Sequence, residues 1–253
     1  MSATVLNIKP GVTIGPGNSI RVPVQAVTPP PPLVTDGILL NFDAATYTSG
    51  DWVDNHASVH AVANGSPSWS SDNGGTFVLT QSPTTYFTVP WPTFYATYTV
   101  DIWFNLTSVP GGSALVSDHG DAYINFCVAP VYAGENIAKV RTGWYHTNWE
   151  GQYPPTTFPY DGSTWVNVIM AVGPTEYNVY NNGTLDLGPY VFGVDGLTAP
   201  DGFGAFSEFF IGRRWDGDVS TDAKIAVVNI YNRALDSTEA LQNFKHYKAR
   251  FGL

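Results

Sequence analysis

Short runs of β-branched and aromatic residues alternate with turn-forming residues along most of the chain. Eleven stand out: "GILLNFDA", "GTFVLT", "TYFTVP", "YTVDIWFNL", "SALVSD", "YINFCVA", "IAKVRTGWY", "WVNVIMAVG", "EYNVYNNG", "FFIGRR" and "KIAVVNIYN". Strands at this spacing, separated by Gly, Pro, Asn and Asp, predict an all-β, antiparallel β-sandwich. Asn182-Gly183, set between β-forming residues, predicts a two-residue hairpin turn, and Asn73-Gly74-Gly75 offers a second turn. A single helix is expected near the C-terminus. Asp236 followed by Glu239 makes a capping-box pattern, Leu241, Phe244 and Tyr247 recur at helical spacing, and Lys245, Lys248 and Arg250 suit the negative end of the helix dipole.

The first residues follow a different rhythm. Ile8, Ile14 and Ile20 recur every six residues in "IKPGVTIGPGNSIRV". A six-residue aliphatic period belongs to rung-forming β-structure, which needs more rungs than these to close a core. Residues 1–28 are therefore expected to be an extended N-terminal arm, completed by other chains, by a sheet edge, or by packing on its own body. Pro29–Pro32 reads as a stiff polyproline linker between this arm and a body spanning 33–253. Ile8, Ile14 and Ile20 are the candidate assembly contacts, with a homo-oligomer, a trimer, as one arrangement that the repeat permits.

Charge narrows the range of partners. With 21 Asp and Glu against 11 Lys and Arg, the net charge of −10 opposes binding to nucleic acid. No stretch approaches the ~20 apolar residues of a membrane span, so no membrane insertion is expected. The start of the chain lacks a basic segment followed by an apolar run, so synthesis in a cytoplasm is expected. Cys127, the one cysteine, lies among apolar residues and reads as a small buried hydrophobe.

The segment 209–253, "FFIGRRWDGDVSTDAKIAVVNIYNRALDSTEALQNFKHYKARFGL", resembles the end of laminin-G-like, concanavalin A-like jelly rolls. The resemblance is specific to the version found in tailed-phage virion proteins, carried by "IGRR", "IYNRAL" and the final "RFGL". It extends more loosely over 37–54, 73–80, 98–106 and 161–183. It implies a concanavalin A-like jelly roll whose members serve as sugar-binding modules, protein-binding modules, glycan-cleaving enzymes or virion surface domains. Fold alone does not choose among these.

Glycoside cleavage needs two carboxylates facing one bond, yet Glu135, Glu150, Glu176, Glu208 and Glu239 are isolated from one another in sequence. No nucleophile motif or phosphate-cradling glycine loop is present either, so no catalytic residue is assigned. Calcium is the one candidate cofactor, through Asp118 and Asp121 in "SDHGDAY" or Asp216, Asp218 and Asp222 in "DGDVSTD". The competing reading is that these aspartates satisfy backbone donors in ordinary turns. For sugar binding, the Pro-containing stretch "GWYHTNWEGQYPPTTFPY" nominates Trp144, Tyr145, Trp149, Tyr153 and Tyr160, and Trp215 is a rim candidate. Against it stands a loop whose rings merely tuck onto the sandwich.

Together these features lead to the expectation of a non-enzymatic bacteriophage virion structural protein, a capsid decoration, fibre or tail-associated protein at the virion surface, made in the host cytoplasm. Residues 1–28 would contact other virion proteins, and the lectin-like head would meet host-surface polysaccharide. The alternatives are a free-standing carbohydrate-binding lectin module and a glycan hydrolase.

Overall fold

The computed structural model describes residues 29–82, 84–90, 95–109, 111–118, 124–145, 149–195, 197–199, 208–214 and 220–253. Ile8, Ile14 and Ile20 lie outside the described residues. All eleven expected strands form: β1 (Ile38–Asp43), β5 (Thr76–Leu79), β6 (Tyr86–Pro90), β7 (Tyr98–Leu106), β8 (Val116–Asp118), β9 (Ile124–Gly134), β10 (Ile137–Tyr145), β13 (Trp165–Val172), β14 (Glu176–Asn181), β16 (Glu208–Ile211) and β17 (Ala223–Tyr231). Six more join them: β2 (Trp52–Val53), β3 (His60–Asn64), β4 (Ser68–Ser70), β11 (Trp149–Gln152), β12 (Phe158–Pro159) and β15 (Thr184–Val191).

They build two antiparallel sheets. The first runs β15-β14-β13-β7-β17-β5-β4, with β1 sharing the outer edge of β17 beside β5. The second runs β11-β10-β9-β8-β16-β6-β3-β2, with β12 pairing the start of β10. The main core lies between them, and one end is filled by rings. Trp52 packs 5.4 Å from Phe42, 4.8 Å from Phe77 and 5.4 Å from Phe87, centroid to centroid, spacings at which aromatic pairs attract. Trp52 escaped the strand pattern because its strand is two residues long.

The β14–β15 hairpin turns where expected, with both Asn182 (φ +47°) and Gly183 (φ +72°) in the left-handed region that a type I′ turn demands. Asn73-Gly74-Gly75 does form a turn, inside a longer loop between β4 and β5. Gly75 sits at φ +137°, and a Cβ there would come 2.3 Å from the Ala44 carbonyl oxygen.

β7, β13 and β17 are buried along their whole described lengths apart from Lys224, because the first sheet is covered on both faces. Its outer face is roofed by α1 (Ser237–Tyr247) and the 3-10 turn that follows it. The capping box is present: Asp236 Oδ1 accepts from the Thr238 and Glu239 amides, and Glu239 accepts from the Asp236 amide. Trp103 is stacked between Phe244 (5.6 Å) and Phe251 (4.4 Å), and Trp165 lies 4.5 Å from Phe251. The helical face differs from the expected one. Ala240, Asn243 and Tyr247 are buried, whereas Leu241 is exposed. Arg250 also does more than face a dipole, since it reaches Asp43 Oδ1 at 2.6 Å.

Asn243 is buried because the sheet beneath offers it polar partners. Asp101, fully enclosed on β7, accepts from Asn167 (2.7 Å), Asn229 (3.0 Å) and Asn243 (3.1 Å). Burial pushes its carboxyl above the usual carboxylate range, while these amide donors pull it back down. Asn243 extends the network to the entering chain by accepting from the Val34 amide at 3.0 Å, and Tyr231 donates to the Val34 carbonyl at 3.0 Å. Upstream, Gln242 donates to the Pro32 carbonyl (2.9 Å) and His246 Nδ1 to that of Pro31 (2.8 Å). Residues 31–34 are thus fastened along the helix.

Candidate functional site

The outer face of the second sheet is built differently. Along β10, Ala138, Val140, Thr142 and Trp144 point into the core, so Lys139, Arg141 and Gly143 point away from it. The register sets Ala129 beside Arg141, Cys127 beside Gly143, and Ser117 of β8 beside Cys127. Small side chains therefore occupy the middle of this face, and Ser117, Cys127 and Ala129 are all buried there. On the far side, the Arg213 guanidinium lies 4.6 Å from the Tyr86 ring centre and 4.7 Å from that of Phe210, within cation–π range.

At the β10 edge these small residues meet a cavity of about 240 Å³. Tyr132, Tyr153, Arg141, Ser113 and the Gly111-Gly112 pair supply its walls. Tyr153 follows directly on the Thr142–Gln152 pair, which puts it across from Arg141 in the continued register. The two tyrosines are 63% and 51% exposed, so both are largely open to solvent. Gly112 has φ +80°, and a Cβ there would come 2.3 Å from Arg214 Nη1, so the Arg214 head lies against the cavity rim. Burial, with the Asp118 charge adding to it, pushes the Cys127 thiol up to about 12 against the pull of Arg141. This keeps it a neutral thiol at ordinary pH.

A larger cavity, about 430 Å³, lies beside the start of α1. Its one large ring, Tyr180, is 4% exposed, and its carboxylates are engaged locally: Asp236 caps the helix and Glu176 accepts from Asn178. It offers a ligand no aromatic face.

The sugar-binding candidates separate in this frame. Tyr153 lies at the 240 Å³ cavity. Trp144 does not belong with it: it is fully buried, its indole donates to the Thr198 carbonyl at 3.2 Å, and Tyr177 and Phe192 meet it edge-on. Tyr160 is half-buried, and its hydroxyl accepts from the Asn136 amide at 2.9 Å, fastening the loop to the β9–β10 turn. Tyr145 and Trp149 face each other in the β10–β11 pairing, and their side chains lie outside the described residues. So does Trp215.

Two of the metal candidates, Asp118 and Asp222, lie among the described residues. Asp118 ends strand β8 and is 2% exposed, not part of an open turn. Asp222 accepts from the Gln81 amide (2.7 Å) and the Ser108 hydroxyl (2.6 Å), a local fastening of three segments. Asp121, Asp216 and Asp218 lie outside the described residues. Among the described residues no three His, Cys, Asp or Glu side chains gather as a metal shell requires, and no helix is long and apolar enough to cross a membrane.

The family model described as Laminin_G_3, concanavalin A-like lectin/glucanases superfamily, matches residues 80–240, more than half of the chain. The chain belongs to this superfamily. No curated protein sequence matches it. Among solved structures, domain 4 of AbnA, an extracellular GH43 arabinanase of Geobacillus stearothermophilus in complex with arabinotriose, superposes with a TM-score of 0.63 at 17% identity. That match covers 81% of this chain and 97% of the domain. The Trypanosoma rangeli sialidase in complex with sialic acid gives 0.57 at 16% identity, over 86% of this chain and 34% of the sialidase. A structure of botulinum neurotoxin type C, whose cell entry is described as dependent on two ganglioside molecules, gives 0.59 at 15%, over 84% and 51%. The chain thus spans nearly all of the arabinanase domain, about a third of the sialidase and half of the toxin chain. At these identities the likeness is one of fold.

Within this concanavalin A-like frame, sequence reasoning passed over Tyr132, Arg141 and Ser113. A signal for Arg141 was available: Lys139, Arg141 and Gly143 alternate with Ala138, Val140, Thr142 and Trp144, which assigns Arg141 outward and Trp144 inward. Tyr132 and Ser113 carried none, because strand register and a loop from another part of the chain bring them to the cavity.

Proposed function

We propose that this chain is a non-enzymatic, glycan-binding surface protein of a bacteriophage particle. Residues 1–28 are the anchoring arm, and the head meets host-surface polysaccharide at the cavity walled by Tyr132, Tyr153 and Arg141. One observation carries the reading. The open aromatic cavity lies at the β9–β10 edge of the second sheet, while the chain enters the head along α1, on the outer face of the first. An anchored head would hold that cavity away from its attachment point.

Several features support it. Two exposed tyrosine rings can cover the apolar faces of pyranoses while Arg141 and Ser113 take hydroxyl or charged groups. The arabinanase domain with arabinotriose and the toxin with its gangliosides are glycan-associated proteins of like fold. The cavity wall holds no Asp or Glu, and hydrolysis by the usual route requires two. The virion assignment draws on the phage-like residues of 209–253 and on the arm with its proline linker.

Binding of the purified protein to a glycan array and to host-envelope polysaccharide, repeated with Tyr153→Ala and Tyr132→Ala, tests the site. Binding weakened about tenfold or more by either substitution is expected, since a lost ring removes roughly 1–3 kcal/mol of contact. Binding untouched by both, or no binding at all, would remove the glycan reading. Release of shortened saccharides would make the protein an enzyme instead. Cryo-electron microscopy of the source particle tests the anchor: residues 1–28 interlocked with other subunits is the expected result, and an arm folded on its own head would overturn it.

A further inference from the structure

The walls of the Tyr132–Tyr153 cavity have a charge bias that the rest of the chain does not share. Acidic residues outnumber basic ones by 21 to 11 overall. Yet no Asp or Glu lines this cavity, Arg141 does, and the Arg214 guanidinium lies against its glycine rim. The flat tyrosine faces answer to a sugar ring; the guanidiniums answer to something a neutral sugar lacks.

Resting on the glycan-binding reading above, we propose that the site selects glycans carrying carboxylate groups, with Arg141 as the carboxylate-recognising residue and Arg214 as a supporting charge at the rim. Arg141 and Arg214 both have other partners within the protein. A guanidinium presents five donors in a plane, so an engaged arginine retains donors for a carboxylate. Its neighbours favour the pairing. Ala129 beside it is small and also lines the cavity, and Gly111, where a Cβ would meet nothing within 4 Å, leaves the rim open. Cys127 stays a neutral thiol, and Asp118, whose charge reaches it, is not among the cavity walls. Tyr153 lines the same cavity, where its ring can pack against the sugar ring whose carboxylate the arginine holds. In a protein of net charge −10, an anionic polysaccharide is repelled by most of the surface. Recognition would then be confined to this one face, and it would weaken with added salt.

The test measures binding of the intact protein to three matched pairs: a galacturonate oligosaccharide, a hyaluronan tetrasaccharide and sialyllactose, each against its carboxyl methyl ester. At least one acid is expected to bind tenfold or more tighter than its ester, with the preference shrinking as salt is raised and falling to near unity in Arg141→Gln. Arg141→Lys, which keeps the charge but loses the planar fork, is expected to retain part of it. Acid and ester binding equally well would overturn this inference and leave the glycan reading standing. Failure of all six saccharides at millimolar concentration would overturn both. The acid-to-ester ratio in the unaltered protein decides the matter even if Arg141→Gln does not fold.

Discussion

The outer face of the first sheet and the β9–β10 edge of the second both carry aromatic rings, and the rings end in opposite conditions. On the first sheet, Trp103 and Trp165 point outward and would be exposed, but α1 and the turn after it close over them. On the second sheet no helix arrives among the described residues. Its outward positions mix small residues (Ser117, Cys127 and Ala129, all buried), the rings of Tyr86 and Phe210 and the cations Arg141 and Arg213, and two tyrosines at the edge stay open to solvent. An aromatic residue on a jelly roll is therefore evidence of a binding platform only after its cover has been accounted for. Trp103 and Tyr153 illustrate the two cases: one ring is enclosed by the fold, and the other stays exposed.

Exchanging a ring on each face is the most severe way to break this comparison. Trp103→Ala should lose about 3–5 kcal/mol by removing the centre of a stacked triad, measured by chemical denaturation. If that loss is small, the helix roof is not held by these rings. Asp101→Asn comes next, with roughly 1–3 kcal/mol lost, because an amide there turns a donor toward asparagine donors and leaves buried groups unsatisfied. This residue also carries a pH signature. Its folded pKa is raised, so the folded state holds the proton more tightly than the unfolded chain does. Its contribution is greatest below the unfolded value near ~4 and is lost as pH rises through the raised folded value. Asp101→Asn should abolish that part of the stability–pH curve, and an unchanged curve would assign it to another group.

Gly183→Ala sharpens the picture at the junction of hairpin and helix. The position needs φ +72°, and a Cβ would come 2.8 Å from Phe244 Cβ. About 1–3 kcal/mol should be lost, through strain and displacement of the helix. A neutral result would mean that helix and hairpin move independently. Smallest of all, Tyr153→Ala should change stability by no more than about 0.5 kcal/mol. A loss comparable to that of Trp103→Ala would put Tyr153 in the fold and not in a site.

Strand periodicity, the Asn182-Gly183 turn and the Asp236–Glu239 capping box were legible because each is local: the residues that determine them are neighbours in sequence. The buried face of α1 was not. Asn243 turns inward, where Leu241 was expected, because Asp101, Tyr231 and Val34 supply its polar partners from three distant parts of the chain. The site was half legible. Tyr153 stood out beside Pro154-Pro155, and alternation along β10 could have moved Trp144 inward and Arg141 outward. Tyr132, Ser113 and the glycine rim needed a register between strands and a loop that only the folded chain supplies.

The fastening of Pro31 and Pro32 to Gln242 and His246 has a practical corollary for anyone handling this head. Residue 31 and the C-terminal turn both lie along α1, so a bead or surface joined at the C-terminal turn takes up the α1 side of the first sheet. Copies tethered this way would point their tyrosines outward in parallel. Weak individual contacts could then add up on a repetitive polymer through effective concentration alone.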